Sequence, residues 1–147
     1  MRSTGGKYMI KWNERYKLGI DIIDMQHKKL FDLAEEAEVI LEQPDYIDKF
    51  DNIVSLLDEL RDYIKYHFSQ EEEILLKIGY KKFFAHKVEH TDFIESIYGL
   101  DLGDIDRNQN EHALTLLNTL MNWLIEHVLV QDKEWSTVYH EFYKVSE

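Results

Sequence analysis

The sequence predicts an all-α fold: an up-down-up-down antiparallel four-helix bundle with an N-terminal extension and a short C-terminal helix. Three observations carry that expectation. The 147 residues include one proline and six glycines, too few turn residues for the many short strands of an all-β domain. Four stretches space their apolar residues by alternating three and four, the period of one helix face. Short breaks rich in Gly, Pro, Asp and Asn separate them, and short connections make consecutive helices antiparallel neighbours.

The first helix is expected from about Ile20 to Glu42. Its inner face reads Ile20, Ile23, His27, Leu30, Ala34, Ala37 and Leu41; Asp21, Lys28, Lys29, Asp32, Glu35 and Glu36 face outward. Gln43-Pro44-Asp45 ends it, because proline cannot continue a helix. The second helix is expected from about Tyr46 to Ile78, with the seam Ile53, Leu57, Leu60, Ile64, His67, Glu71, Ile74 and Ile78, and Gly79 as its stop. The third runs from about Lys81 to Leu100 through Phe83, His86, His90, Phe93, Ile97 and Leu100. Gly99 to Asn110 reads as a connection. The fourth runs from about Glu111 to Leu129 through Ala113, Leu117, Leu120, Leu124 and His127. Beyond Gln131, the residues Trp135, Tyr139, Phe142 and Tyr143 suggest a short packed helix. Residues 1–11 are expected to be a flexible tail, and residues 12–147 the bundle domain.

Composition excludes several function classes. Lys and Arg number 17 against 29 Asp and Glu, a formal charge of −12, whereas nucleic-acid binding needs clustered cations. The absence of cysteine rules out a disulfide scaffold, an iron–sulfur cluster, a thiol nucleophile and a cysteine zinc site. No apolar run approaches the ~20 residues of a membrane span. The N-terminus lacks the apolar segment of a secretory signal, so a cytoplasmic location without membrane insertion is expected.

The informative anomaly lies in the seams. His27, His67, Glu71, His86, His90 and His127 all stand where the alternation calls for a hydrophobe. Burying one imidazole is ordinary if a carbonyl satisfies it, but burying six polar groups demands many independent solutions. One shared metal centre satisfies them together, and no seam lysine or arginine offers Glu71 a partner. His67 and Glu71, and likewise His86 and His90, are four residues apart and share a helix face. Asp132 lies five residues after His127, about 140° away on a regular helix, and joins the set only if the helix ends or distorts after Leu129. Five imidazoles and two carboxylates exceed the needs of one ion, so two are implied, with the carboxylates as natural bridges. Nitrogen-rich ligation suits iron, copper, nickel or zinc rather than magnesium or calcium.

Two other metal motifs fit less well. His86-Lys87-Val88-Glu89-His90 has the inverted zinc-peptidase pattern, with Glu89 as general base, but it leaves His27, His67 and His127 unexplained. The ferritin-like Glu-x-x-His motif is absent: Asp24, Ile64, Phe83, Lys87 and Leu124 precede the five histidines by three.

The ordered pattern His27, His67-x-x-x-Glu71, His86-x-x-x-His90 and His127-x-x-x-x-Asp132 resembles the hemerythrin family, in its single-domain bacterial form. The flanks Leu18-Gly19-Ile20, Ile23-Asp24-Met25-Gln26, Gly79-Tyr80 and Trp123-Leu124 join the resemblance. It implies two iron ions with a bridging oxo or hydroxo group. His86, His90 and His127 would hold one iron, His27 and His67 the other, and Glu71 and Asp132 would bridge them. The second iron is then one ligand short, which leaves a place for O2. An apolar pocket is expected there, with Phe68, Trp123, Leu124 and Val128 as candidates. Asp24 and Gln26 are candidates for orienting the imidazoles, while His112 and His140 are expected at the surface.

The function so implied is reversible O2 binding for storage, transport or sensing, without chemical conversion of a substrate. The alternatives are a di-iron enzyme acting on peroxide or nitric oxide, and an O2- or iron-sensing module that shifts a protein partner.

Overall fold

The computed structural model describes residues 11–43, 50–98, 115 and 117–146. Helix α1 spans Asp21–Leu41, α2 Phe50–Lys77 and α3 Phe83–Tyr98. Residues 117–127 form α4. It runs without interruption through a π-helical turn, Val128–Asp132, into α5, Lys133–Ser146. A 3-10 turn, Glu14–Tyr16, precedes α1. Among the described residues there is no strand. The expected first turns of the second and fourth helices, Pro44, Asp45, Leu100, Ala113, His112, the connection from Gly99 to Asn110 and the tail residues 1–10 lie outside them. Lys11, also assigned to the tail, places Nζ 3.0 Å from Glu35 Oε2.

Cross-helix pairs fix the directions. Gln26 meets His67 while Lys29 lies over Tyr63, so α1 and α2 are antiparallel. Arg61 reaches the Ile97 carbonyl and Glu72 reaches His90, so α2 and α3 are antiparallel. Phe93 stacks on Trp123 and Lys82 pairs with Glu134, which reverses the chain again. His140 Nε2 lies 2.8 Å from the Leu18 carbonyl and closes the bundle from α5 back to the entry of α1.

The expected inner faces are buried with one correction. At the end of α2, Leu75 is fully buried and Ile74 only partly. A 3.6-residue helix drifts off a strict three-four alternation over successive turns, so by the seventh seam position the neighbouring residue has rotated inward. The C-terminal helix also differs from expectation, since it is the direct continuation of α4 rather than a separate segment.

The apolar core falls into two clusters. The larger includes Leu30, Leu57, Leu60, Ile64, Phe68, Leu124 and Val128. The smaller gathers Leu18, Ile20, Ile23, Leu75, Ile78, Tyr80 and Phe83 around Trp135. In chain order, His27, Glu71, His86, His90 and Asp132 fall where the helices pass from one cluster to the other, and His67 and His127 lie just inside the larger.

The turn between α2 and α3 is set by Gly79, whose φ is +65°. The Tyr80 N–H donates to the Leu75 carbonyl and the Gly79 N–H to the Leu76 carbonyl. This is the Schellman arrangement, with Tyr80 and Leu75 as its apolar contact. A Cβ at Gly79 would meet no atom within 4 Å, so only backbone strain opposes a side chain. Gly79→Ala is therefore expected to lower unfolding free energy by ~1–2 kcal/mol in chemical denaturation of the metal-free protein. Unchanged or increased stability would contradict a strained left-handed cap.

Candidate metal centre

All seven sequence-predicted donors converge. His27, His67, Glu71, His90 and Asp132 are at most 1% exposed, and His86 and His127 are 3% exposed. Each helix contributes: His27 from α1, His67 and Glu71 from α2, His86 and His90 from α3, His127 from the end of α4. Asp132 comes from the end of the π turn. That turn resolves the five-residue spacing. The Lys133 N–H reaches the Val128 carbonyl, an i to i+5 bond, and such a widened turn brings residues five apart onto one face. Asp132 Oδ1 thus lies 3.3 Å from His127 Nε2. The helix neither ends nor waits until Leu129; it widens from Val128 onward.

The donors form two groups sharing Glu71. In the first, His90 Nε2 and His127 Nε2 are 3.0 Å apart, and His127 Nε2 and His86 Nε2 3.2 Å. Glu71 Oε1 lies 3.0 Å from His86 Nε2 and 3.3 Å from His90 Nε2. In the second, Glu71 Oε2 lies 3.0 Å from His67 Nε2 and 3.4 Å from His27 Nε2. Asp132 spans both, with Oδ2 3.4 Å from His27 Nε2 and Oδ1 3.4 Å from His86 Nε2.

Hydrogen bonding does not account for this packing. His27 Nε2, His67 Nε2, Glu71 Oε2 and Asp132 Oδ2 are buried without a hydrogen-bond partner, although they crowd within 3.0–3.4 Å. In the first group His127 Nε2 faces two other imidazole nitrogens at once. Nitrogens held at right angles about 2.1 Å from one ion stand about 3.0 Å apart, close to the observed spacing. The donor set fits a pair of metal ions, with Glu71 and Asp132 offering one oxygen to each side.

The electrostatics agree. Burial works against charge on His27 and His86, but the close carboxylates of Asp132 and Glu71 outweigh it and raise the imidazoles from 6.5 to about 9 and about 10. Burial opposes ionisation of Glu71 as well, yet the surrounding His67, His27 and His86 hold it well below the usual carboxylate range. Asp132 is likewise held low by His127 and His27 against burial and the Glu71 charge.

Around the donors stands a second ring of contacts. Gln26 Oε1 is 2.7 Å from His67 Nδ1, so Gln26 orients an imidazole. Asp24 does not: its carboxylate accepts from the Leu18 and Gly19 N–H groups and pins the entry to α1. Three contacts were not foreseen from the sequence. Glu72 Oε2 is 2.9 Å from His90 Nδ1, and Glu89 Oε1 3.5 Å from His127 Nδ1. The Trp135 indole N–H donates to Asp132 Oδ1 at 2.9 Å. Glu72 follows a seam carboxylate, but only the register of α2 against α3 reveals its target. His140 is mostly exposed as expected, though it anchors α5 to Leu18.

The four pocket candidates lie beside the donors or close by. Phe68 stacks on His90 at 3.7 Å and tilts against His67 at 6.0 Å. Trp123, partly buried, stacks on His127 at 4.7 Å and on Phe93 at 3.9 Å. Leu124 and Val128 are buried in the cluster that contains Phe68.

The fold and site define an all-α bundle protein with a buried histidine–carboxylate cluster able to hold cations. Residues 18–138 match the hemerythrin HHE cation binding domain, and the chain belongs to the hemerythrin family. It is 39% identical to a bacteriohemerythrin of Clostridium acetobutylicum over 127 residues, covering 86% of this chain and 98% of the relative. A bacteriohemerythrin of Stenotrophomonas maltophilia is 27% identical, covering 87% and 80%. A myohemerythrin of Theromyzon tessulatum is 23% identical, covering 80% and 83%.

Metal binding requires neutral imidazole, whereas His27 and His86 carry protons in the metal-free protein until about pH 9 and about pH 10. Loading a divalent ion at pH 7 is therefore expected to release protons, with apparent affinity rising with pH. The number released should decline as pH passes 9 and then 10. Calorimetry in buffers of different ionisation enthalpy measures it, and no release at pH 7 would contradict the assignment.

Proposed function

We propose that this protein binds O2 reversibly at a non-haem di-iron centre, serving oxygen storage, transport or sensing. His86, His90 and His127 hold one iron, His27 and His67 the other. Glu71 and Asp132 would bridge the pair alongside an oxo or hydroxo group. The observation that carries the reading is the buried convergence of seven donors into two groups, three imidazoles against two, joined by two carboxylates. When bound, the irons supply the redox-active site at which O2 is held.

The chain's own residues set the conditions. Two imidazoles and two carboxylates leave the second position with fewer protein ligands than the first, so it is the open one. Phe68, which meets both His90 and His67, makes with the buried Leu124 and Val128 an apolar wall that keeps water and anions out, and Trp123 extends it on the three-histidine side against His127. Trp135 and Gln26 hold Asp132 and His67 in place, so the donors need little rearrangement when iron enters. An apolar wall of this kind suits binding rather than conversion of a substrate, and the protein is not an enzyme on this reading.

The same proposal places it in the cytoplasm without a nucleic-acid partner. The net charge of −12 supports the latter. No described helix is long and apolar enough to cross a membrane.

Iron-loaded, reduced protein should carry two irons per chain. Its visible absorption should change on exposure to O2 and return when O2 is withdrawn. Sustained consumption of O2, peroxide or nitric oxide in excess reductant would replace this reading with an enzymatic one. In a second test, Glu71→Ala is expected to retain at most one iron per chain, because Asp132 alone cannot hold two cations close together. Two irons retained in elemental analysis would overturn the bridging role.

A further inference from the structure

The two halves of the centre differ in imidazole number, three against two, and also in what stands behind those imidazoles. Glu71 and Asp132 give one oxygen to each half, so they do not distinguish them. Behind the three-histidine half stand two carboxylates: Glu72 on His90 Nδ1 at 2.9 Å and Glu89 near His127 Nδ1 at 3.5 Å. Behind the two-histidine half stands a neutral amide, Gln26 on His67 Nδ1 at 2.7 Å; His27 Nδ1 is buried without a hydrogen-bond partner, as is His127 Nδ1 despite the nearby Glu89. The two outer carboxylates are not equal. Glu89 is 42% exposed at its side chain and its charge is screened by water, whereas Glu72 is 19% exposed and shorter in reach. Lys87 Nζ lies 4.0 Å from the other Glu72 oxygen, which leaves Oε2 directed at His90.

A carboxylate accepting the Nδ1 proton of a ligand imidazole fixes its tautomer, points Nε2 at the metal and makes that nitrogen a stronger donor; an amide fixes the tautomer without adding charge. We infer that Glu72 and Gln26 are positioning residues that widen the inequality set by imidazole number, so that the three-histidine position fills first and the two-histidine position second. The assignment rests on the two-metal reading above. It gives this chain a defined half-loaded state, with one ion among His86, His90, His127 and Glu71 before His27 and His67 are engaged.

Anaerobic titration of the metal-free protein with cobalt(II), followed by visible absorption and calorimetry, tests it without O2 chemistry. The wild-type chain is expected to take up two cobalt ions in two resolved steps. Glu72→Gln keeps an acceptor on His90 and removes the charge. It should weaken the first step about tenfold and leave the second unchanged. Gln26→Glu adds a charge behind His67 and should strengthen the second step, narrowing the gap between the two. These opposite effects on different steps are not what a general loss of folding produces. One unresolved two-ion step in the wild type would overturn the inference, as would a Glu72→Gln that weakens both steps alike or neither. Both failures leave the two-metal reading standing. Fewer than two cobalt ions bound to the wild type would remove that reading and the inference together.

Discussion

Seven buried side chains point lone pairs into one layer of the bundle, and among the described residues no lysine or arginine enters that layer to neutralise them. Most of the unusual features of the fold follow from this constraint. Desolvated carboxylates and crowded imidazole nitrogens are costly unless a cation or protons sit among them. In the metal-free chain protons do part of that work, which is why His27 and His86 are raised and Glu71 and Asp132 are lowered. Metal ions do it better, because one ion satisfies several nitrogens where one proton satisfies two. The apolar clusters on either side then act as clamps. They hold four helices in register so that donors from each arrive within 3.0–3.4 Å of a partner atom.

Much of this was legible in the sequence because helix periodicity maps directly onto burial. The six polar seam residues, His27 through His127, were found by asking which positions the alternation reserves for hydrophobes. Asp132 was legible only as a conditional donor. Regular helix geometry puts it on the wrong side of His127, and nothing local in Val128-Leu129-Val130-Gln131 announces a π turn. Tertiary demands explain the turn: it aims Asp132 inward while Trp135, three residues on, packs in the smaller cluster and donates to the same carboxylate. The sequence offers Asp24 as a candidate for orienting an imidazole, but its backbone contacts at Leu18 and Gly19 win. The pairing of Glu72 with His90 depends on how α2 and α3 slide against each other, a quantity the hydrophobic pattern specifies only to about a turn.

Function is built on an asymmetry that a symmetric-looking bundle conceals. Shared carboxylates join the two metal positions, and unequal imidazole number separates them. Phe68 and Trp123 lie flat against His90 and His127, on the more heavily liganded side. They stiffen the imidazoles that have least reason to move. The other position is served by His27 and His67, with Gln26 as its only outer partner among the described residues. A protein that must hold and release a small molecule needs one coordination position left free beside a firmly anchored neighbour, and on the proposed reading this distribution of side chains provides it.

Anomalous X-ray diffraction at the iron edge from crystals of the iron-loaded protein tests the central claim most directly. The account predicts two peaks, one bounded by His86, His90 and His127 and one by His27 and His67, with Glu71 and Asp132 between them. A single peak, or iron located away from these seven side chains, would contradict it.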